Sequence, residues 1–236
     1  NQGIGIMDST EQNYLRIKQI IEAKAKECKR DPDDIRIVAV SKTKSVEAVE
    51  SAVKAGVEIL GENYIQEAVQ KIEALESHPV SWHFIGHLQS NKAKYAVPAF
   101  DLIHTVDRVK LAKEIEKQAE KINKVQDILI QVNIGEEDSK SGAPKENALS
   151  LAKEIGGMKH LALKGLMCMP PFFDEPDKAR PYFRELAELK EKINNAGVPG
   201  VFLTELSMGM SGDYEVAIEE GATMVRIGTS IFGKRN

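Results

Sequence analysis

A lysine amine becomes a nucleophile where its charge is lifted, and a partly desolvated cleft at the end of a buried strand does that. Lys42 has this setting in the sequence. Residues 35–44 read IRIVAVSKTK, an Ile- and Val-rich run that ends in the polar burst Ser41-Lys42-Thr43-Lys44. Such a run has the pattern of a strand covered on both faces, and in a barrel or doubly wound sheet its C-terminal end opens onto the ligand crevice. Far along the chain lie two loops rich in Gly, Ser and Thr: LSMGMSGDY at 206–214 and RIGTSIFG at 226–233. Glycine lets backbone N–H groups close on an anion, and hydroxyls add donors, so each loop suits a phosphate. A lone lysine after a strand is ordinarily a solvated charge, and short Gly/Ser loops are common. The combination is more specific, because it pairs a carbonyl-reactive amine with a phosphate cradle. Two chemistries use that pair. One is aldolase-type Schiff-base catalysis on a phosphorylated sugar. The other is the holding of pyridoxal 5'-phosphate (PLP), whose aldehyde and phosphate lie on opposite sides of the ring.

The elements that must position these groups alternate along the chain. An amphipathic pattern predicts a leading helix over 8–30, ended by Asp31-Pro32. Strand patterns follow at 35–44, 57–60, 81–85, 102–106, 128–134, 162–167, 201–206 and 224–227. Helical stretches follow each of the first seven, at 45–54, 64–75, from 90, 108–122, 144–157, 177–195 and 213–220. Strict alternation implies a parallel sheet with helices outside it. Eight units in 236 residues favour an α/β fold of one closed (β/α)8 TIM barrel with an extra N-terminal helix. An open sheet is the alternative, but the first βα turn lacks the glycine fingerprint of dinucleotide binders. The whole of 1–236 is expected to be one domain, with 1–6 an uncommitted tail before Met7. In a barrel, the strand-end residues Lys42, Asn63, His87, Asn133, Met169, Ser207 and Arg226 face one mouth. The loops after strands 7 and 8 are where barrels often hold a phosphate.

Bulk properties narrow the partners. The chain is 42% hydrophobic and 29% charged, with a net charge of −4, which gives no electrostatic case for nucleic acid or an anionic membrane. Its two cysteines, Cys28 and Cys168, form no disulfide framework or metal-ligand pair, so a reduced, cytoplasmic setting is expected. No apolar run is long enough to span a bilayer. His83 and His87 straddle a strand end, so packing or hydrogen bonding fits them better than metal ligation. His104 is expected in the barrel interior or mouth. Met167, Cys168 and Met169 are expected to line the pocket wall. Lys44 and Lys140 read as solvated charges that could at most accept an aldehyde transiently. Among the tyrosines, Tyr64 lies nearest the expected mouth and is expected to pack its helix.

The segments AVSKTK, GENYIQEA, WHFIGHLQSNK, HTVD and LSMGMSGDYEVAIEEGATMVRIGTSIFG, in this order, resemble the YggS/PROSC family of PLP-binding homeostasis proteins. The likeness runs from the leading helix to Phe232-Gly233. It implies the fold of the alanine racemase N-terminal barrel and PLP held as a Schiff base on Lys42. It further implies that the loops around Ser207 and around Gly228-Thr229 grip the phosphate, that Arg226 faces the pyridine nitrogen, and that Asn63 and the turn of Met208, Gly209 and Ser211 line the pocket. Residues 136–142 resemble the family's mobile loop. An arginine at the pyridine nitrogen only donates, which makes a weak electron sink. Alanine racemase shares that arrangement but takes further catalytic groups from a second, β-rich domain, which is not expected here. The expectation is therefore a PLP carrier that exchanges its ligand with PLP-dependent enzymes as a monomer. A racemase working through the barrel alone is the alternative.

Overall fold

Eight parallel strands close on themselves in the computed structural model, which describes residues 9–138 and 141–234. They are β1 (Arg36–Val40), β2 (Ile59–Glu62), β3 (Ser81–Phe84), β4 (Leu102–Val106), β5 (Gln126–Asn133), β6 (Leu161–Met167), β7 (Glu205–Ser207) and β8 (Met224–Ile227). Each pairs with the next, and β8 returns to β1 in the register Arg36↔Met224 to Ala39↔Ile227. The helices are α1 (Ser9–Glu27), α2 (Val46–Lys54), α3 (Ile65–Ala74), α4 (Ala93–Ala99), α5 (Val109–Lys121), α6 (Ala148–Gly156), α7 (Arg180–Asn195), α8 (Tyr214–Glu219) and α9 (Thr229–Phe232). This is the (β/α)8 barrel with a leading helix that the alternation predicts. The residues 1–6 and Lys140, for which expectations were stated, lie outside the described residues.

Period-2 alternation divides the barrel's contents. One interior layer is apolar: Val38, Ile59, Leu102, Leu129, Met167 and Met224. Two residues on from Leu102 and Met224, the same strand faces carry His104 and Arg226, both buried. The interior thus changes from oily to polar toward the strands' C-terminal ends. The opposite strand faces pack against the helices, as Ala39, Leu60, Ile103 and Val225 do in the main core.

Several elements differ from expectation, and the leading helix ends at Glu27 rather than at Arg30. β2 begins and ends two residues later than the apolar run suggests, because Glu62 stays in the ladder opposite Phe84 with its carboxylate neutralised from within. Residues 201–204 run ahead of β7 rather than in it. The Asn194 side chain takes both backbone groups of Leu203, at 2.7 and 2.9 Å, which ties Leu203 to α7, and bonding to β6 starts only at Thr204, whose amide donates to the Lys164 carbonyl at 2.9 Å. The four-residue α9 follows β8, where no helix is expected, and a two-residue strand, Ala143–Pro144, adds to β5.

Candidate functional site

Lys42 sits two residues beyond β1, on the wall of a cavity of about 380 Å³ that also meets Asn63, Met169, Arg226, Gly228 and Thr229. That volume lies at the small end of ligand pockets. One wall is the apolar 169–173 segment after β6, and the facing wall is the 209–213 turn after β7. The turn is held by its own sequence. Asp213 Oδ1 accepts from the Met210 amide at 2.8 Å, and Gly209 carbonyl accepts from the Arg226 amide at 2.9 Å. Gly209 has φ +98°, and a Cβ there would fall 2.6 Å from the Ala217 Cβ, so only glycine lets the turn press onto α8. Ser211 Oγ accepts from the Ser230 amide at 3.3 Å, which joins the turn to the first turn of α9. Helix-start amides have no intrahelical acceptor, so this corner of the cavity is rich in donors.

Arg226 brings the charge. It is fully desolvated, and burial draws its pKa down from the usual arginine value without threatening its charge. Nη1 donates to Ser207 Oγ at 2.6 Å and Nη2 to the Cys168 carbonyl at 2.8 Å. Ser207 Oγ lies 2.9 Å from His104 Nδ1, and His104 Nε2 lies 2.9 Å from His83 Nδ1. Burial holds both imidazoles neutral: His83 is pushed down to about 3, and His104 falls well below its ordinary value, mainly through desolvation, with repulsion from any proton on His83 and from the Arg226 charge adding to it. These histidines therefore orient the arginine's support rather than carry protons or metal. No cluster suited to a metal ion occurs among the described residues.

Of the residues expected at one mouth, Lys42, Asn63, Met169 and Arg226 line the same cavity, together with Gly209, Ser211, Gly228 and Thr229. Ser207 lies beneath it as the arginine's anchor. Met208 corrects the expectation that the whole 208–211 turn lines the pocket: it is fully buried in the core, with its amide on the Met224 carbonyl at 3.1 Å. His87 faces a neighbouring groove that also meets Asn63 and Tyr64. Asn133 donates to the Glu137 carbonyl at 2.9 Å, away from the cavity. Met167 fills the barrel interior, Cys168 is buried core, and only Met169 of that trio reaches the pocket. Tyr64 is 58% exposed, so it does not pack its helix as expected. Lys44 reaches the carbonyls of Gly233 and Lys234 at 3.5 and 3.4 Å, a helix C-terminus contact. Asp213 was not anticipated at the site. It is the only acid lining the cavity among the described residues, and burial raises its pKa.

Two features fit a ring-bearing, phosphorylated ligand. Asn63 Oδ1 is buried with no hydrogen-bond partner, an acceptor aimed at a donor the protein does not supply. A Cβ on Gly228 would approach Val40 Cβ to 3.3 Å, a tight contact to which Val40 would have to yield by a few tenths of an ångström. Asn63 itself is seated by Gly86, where a Cβ would fall 2.4 Å from the Asn63 carbonyl oxygen. Gly86→Ala is therefore expected to displace Asn63 and to weaken ligand retention about tenfold, or about 1.4 kcal/mol, in equilibrium dialysis. Wild-type retention by a folded Gly86→Ala protein would remove Asn63 from the site.

Residues 8–236 match the family model described as alanine racemase, N-terminal domain. A protein of Aquifex aeolicus named pyridoxal phosphate homeostasis protein is 44% identical over 93% of this chain and 97% of its own length. The solved structure of PipY from Synechococcus elongatus, with PLP bound, superposes with a TM-score of 0.80 at 32% identity, covering 91% of this chain and all of that one. A crystal structure of an unknown protein from Bifidobacterium adolescentis superposes with a TM-score of 0.90, with 33% identity and 94% of each chain covered.

Proposed function

The chain belongs to the pyridoxal phosphate homeostasis proteins of the alanine racemase N-terminal domain family, and from that premise we propose that it binds PLP on Lys42 and serves PLP homeostasis. The observation that carries the reading is the meeting of Lys42, Arg226 and two glycine loops in one cavity. When bound, PLP supplies an aldehyde that condenses reversibly with an amine. Lys42 is the amine that takes it. Ser211, Gly228, Thr229 and the backbone amides around them hold the phosphate, with Gly209 shaping their turn. Arg226 would donate to the ring nitrogen from a fixed position, since Ser207 Oγ and the Cys168 carbonyl hold two of its five N–H donors. Asn63 Oδ1 accepts from a ring substituent. Met169 and Phe173 keep water from one side of the ring.

The reading is of a carrier rather than a catalyst. Racemisation needs acid–base groups on both faces of the ring. Among the described residues that line the cavity, Lys42 and Asp213 are the groups able to exchange protons at moderate pH, and Asp213 is engaged with the Met210 amide. PLP is a reactive aldehyde that modifies amines indiscriminately, so a reversible carrier has a physical rationale. We place the carrier in the cytoplasm as a single-domain monomer that hands PLP to PLP-dependent enzymes. Among the described residues no helix is long and apolar enough to cross a membrane.

The test is to titrate the purified protein with PLP, reduce with borohydride and map the modified peptide by mass. A phosphopyridoxyl group on the peptide bearing Lys42 is the expected result. A protein that stays colourless and unmodified would overturn the proposal. Loss of chirality of added amino acids well above the rate of PLP alone would replace the carrier with a racemase.

A further inference from the structure

Lys71 has no place in the binding scheme, yet it is among the least exposed charges in the molecule. It rises from α3 with its side chain 4% exposed and spends all three donors on three acceptors. Nζ donates to the Ser41 carbonyl at 2.6 Å, to Glu62 Oε1 at 2.7 Å and to Glu67 Oε1 at 2.7 Å. Two of these acceptors tie into the residues that flank Lys42. Ser41 Oγ donates to Glu62 Oε1 at 2.7 Å, and the Thr43 amide donates to Glu67 Oε1. One ammonium therefore grips the backbone on both sides of Lys42, directly before it and through Glu67 after it. The grip is under load. Thr43 has φ +65°, a left-handed conformation that a β-branched residue adopts only when its surroundings impose it.

Burying such a cluster is a poor way to stabilise a fold, since a hydrophobic replacement often does as well. Glu62 Oε2 is even left buried without a partner. What the cluster achieves is the fixing of a strained tripeptide around one lysine, as a functional side chain requires of its supports. We propose that Lys71, acting through Ser41, Glu62 and Glu67, is a positioning residue that aims the Lys42 amine into the cavity and sets how fast that amine takes up and gives back an aldehyde. The proposal rests on the reading of Lys42 as the capturing residue. Lys71 does not touch the ligand. It holds the strand-end turn in the conformation from which the Lys42 side chain enters the cavity, with α3 as its rigid base.

Three variants separate this role from simple stability. Glu67→Ala removes the Thr43 tether but keeps the buried Lys71–Glu62 pair. Glu67→Gln keeps an acceptor for the Thr43 amide and is the conservative rescue. Lys71→Met removes the grip altogether. The first readout needs no PLP: trace reductive methylation of the protein across a pH series, with each lysine's labelling mapped by mass. The second is the rate of PLP uptake followed by absorbance. Glu67→Ala is expected to change the pH profile of Lys42 labelling and to slow PLP uptake about tenfold, with Glu67→Gln close to wild type. Lys71→Met is expected to go further where it folds, and where it does not, Glu67→Ala decides. A folded Glu67→Ala protein with wild-type labelling and wild-type uptake would overturn the proposal. If the wild type takes up no PLP at all, the carrier reading falls, and the labelling profile of Lys42 still decides the positioning role.

Discussion

Lys42→Ala is expected to lower affinity for PLP by about 100-fold or more, at least about 2.7 kcal/mol, while leaving the fold intact. Lys42 lies past the last ladder residue of β1 and is only half-buried, so the substitution removes no strand bond and opens no core cavity. What it removes is the covalent attachment proposed for the ligand. The Gly209–Ser211 and Gly228–Thr229 loops and Arg226 remain, so weak binding through phosphate and ring should persist and be displaced by inorganic phosphate. Calorimetric or dialysis titration of both proteins, with and without phosphate, measures this. Equal affinities would show that the cavity works without a covalent bond and would move the reactive amine elsewhere.

The second large effect is on stability and follows from two neutral histidines in the barrel. His83 titrates near 3 in the fold and His104 lies well below its ordinary value, while in the unfolded chain both return to about 6.5. Between those limits the unfolded state binds more protons than the native state, so stability rises with pH and is lost as pH falls through 6.5. Each histidine contributes about 1.4 kcal/mol per pH unit in that window. The ion-paired carboxylates Glu219 and Glu220 are held below 4.5 and add their loss only under more acid conditions. Glu62 and Asp213, raised by burial, oppose the histidine slope. Denaturant melts at pH 7, 6 and 5 should show a steep fall, and His104→Gln should flatten it by about 1.4 kcal/mol per pH unit. A wild-type protein equally stable at pH 7 and pH 5 would contradict the buried, neutral assignment.

The barrel and the reactive corner of the site are legible in the sequence because both are local. Each strand pattern is a run of apolar residues, each helix has its stripe, and a lysine or a glycine loop stands where its strand stops. The unread features all depend on partners distant in sequence. Glu62 reads as the end of a strand, because its neutraliser Lys71 sits a helix away and no local pattern announces a buried pair. The Glu67–Lys71 spacing of one helical turn is the only hint of it. Residues 201–204 have strand composition, but a single asparagine on α7 claims Leu203 first. Met208 and Gly209 look interchangeable as turn residues. The structure separates them, because Met208, just past β7, is buried in the core and the positive φ comes at Gly209. The hydrogen-bonded chain from His83 through His104 and Ser207 to Arg226 joins four strands whose order around the barrel is not written in any one segment.

The barrel closes by pairing β1 with β8, and α1 adds a bond across the seam, from the Asn13 side chain to the Ile231 carbonyl, 218 residues away in sequence. That seam sets a timetable for the growing chain. The ribosome releases Lys42 early and Thr229 late, and at ordinary elongation rates the interval is on the order of ten seconds or more. Throughout that interval the lysine strand is synthesised without its last neighbour, and the glycine loop that faces it across the cavity does not yet exist. Contacts this distant in sequence form slowly even in a finished chain. Lys42 and the Gly228-Thr229 loop thus come together in one late event, the joining of the sheet's first and last strands. If Lys42 is the capturing residue proposed above, a nascent chain presents it without its cavity, and any selectivity for a phosphorylated aldehyde arrives only with ring closure.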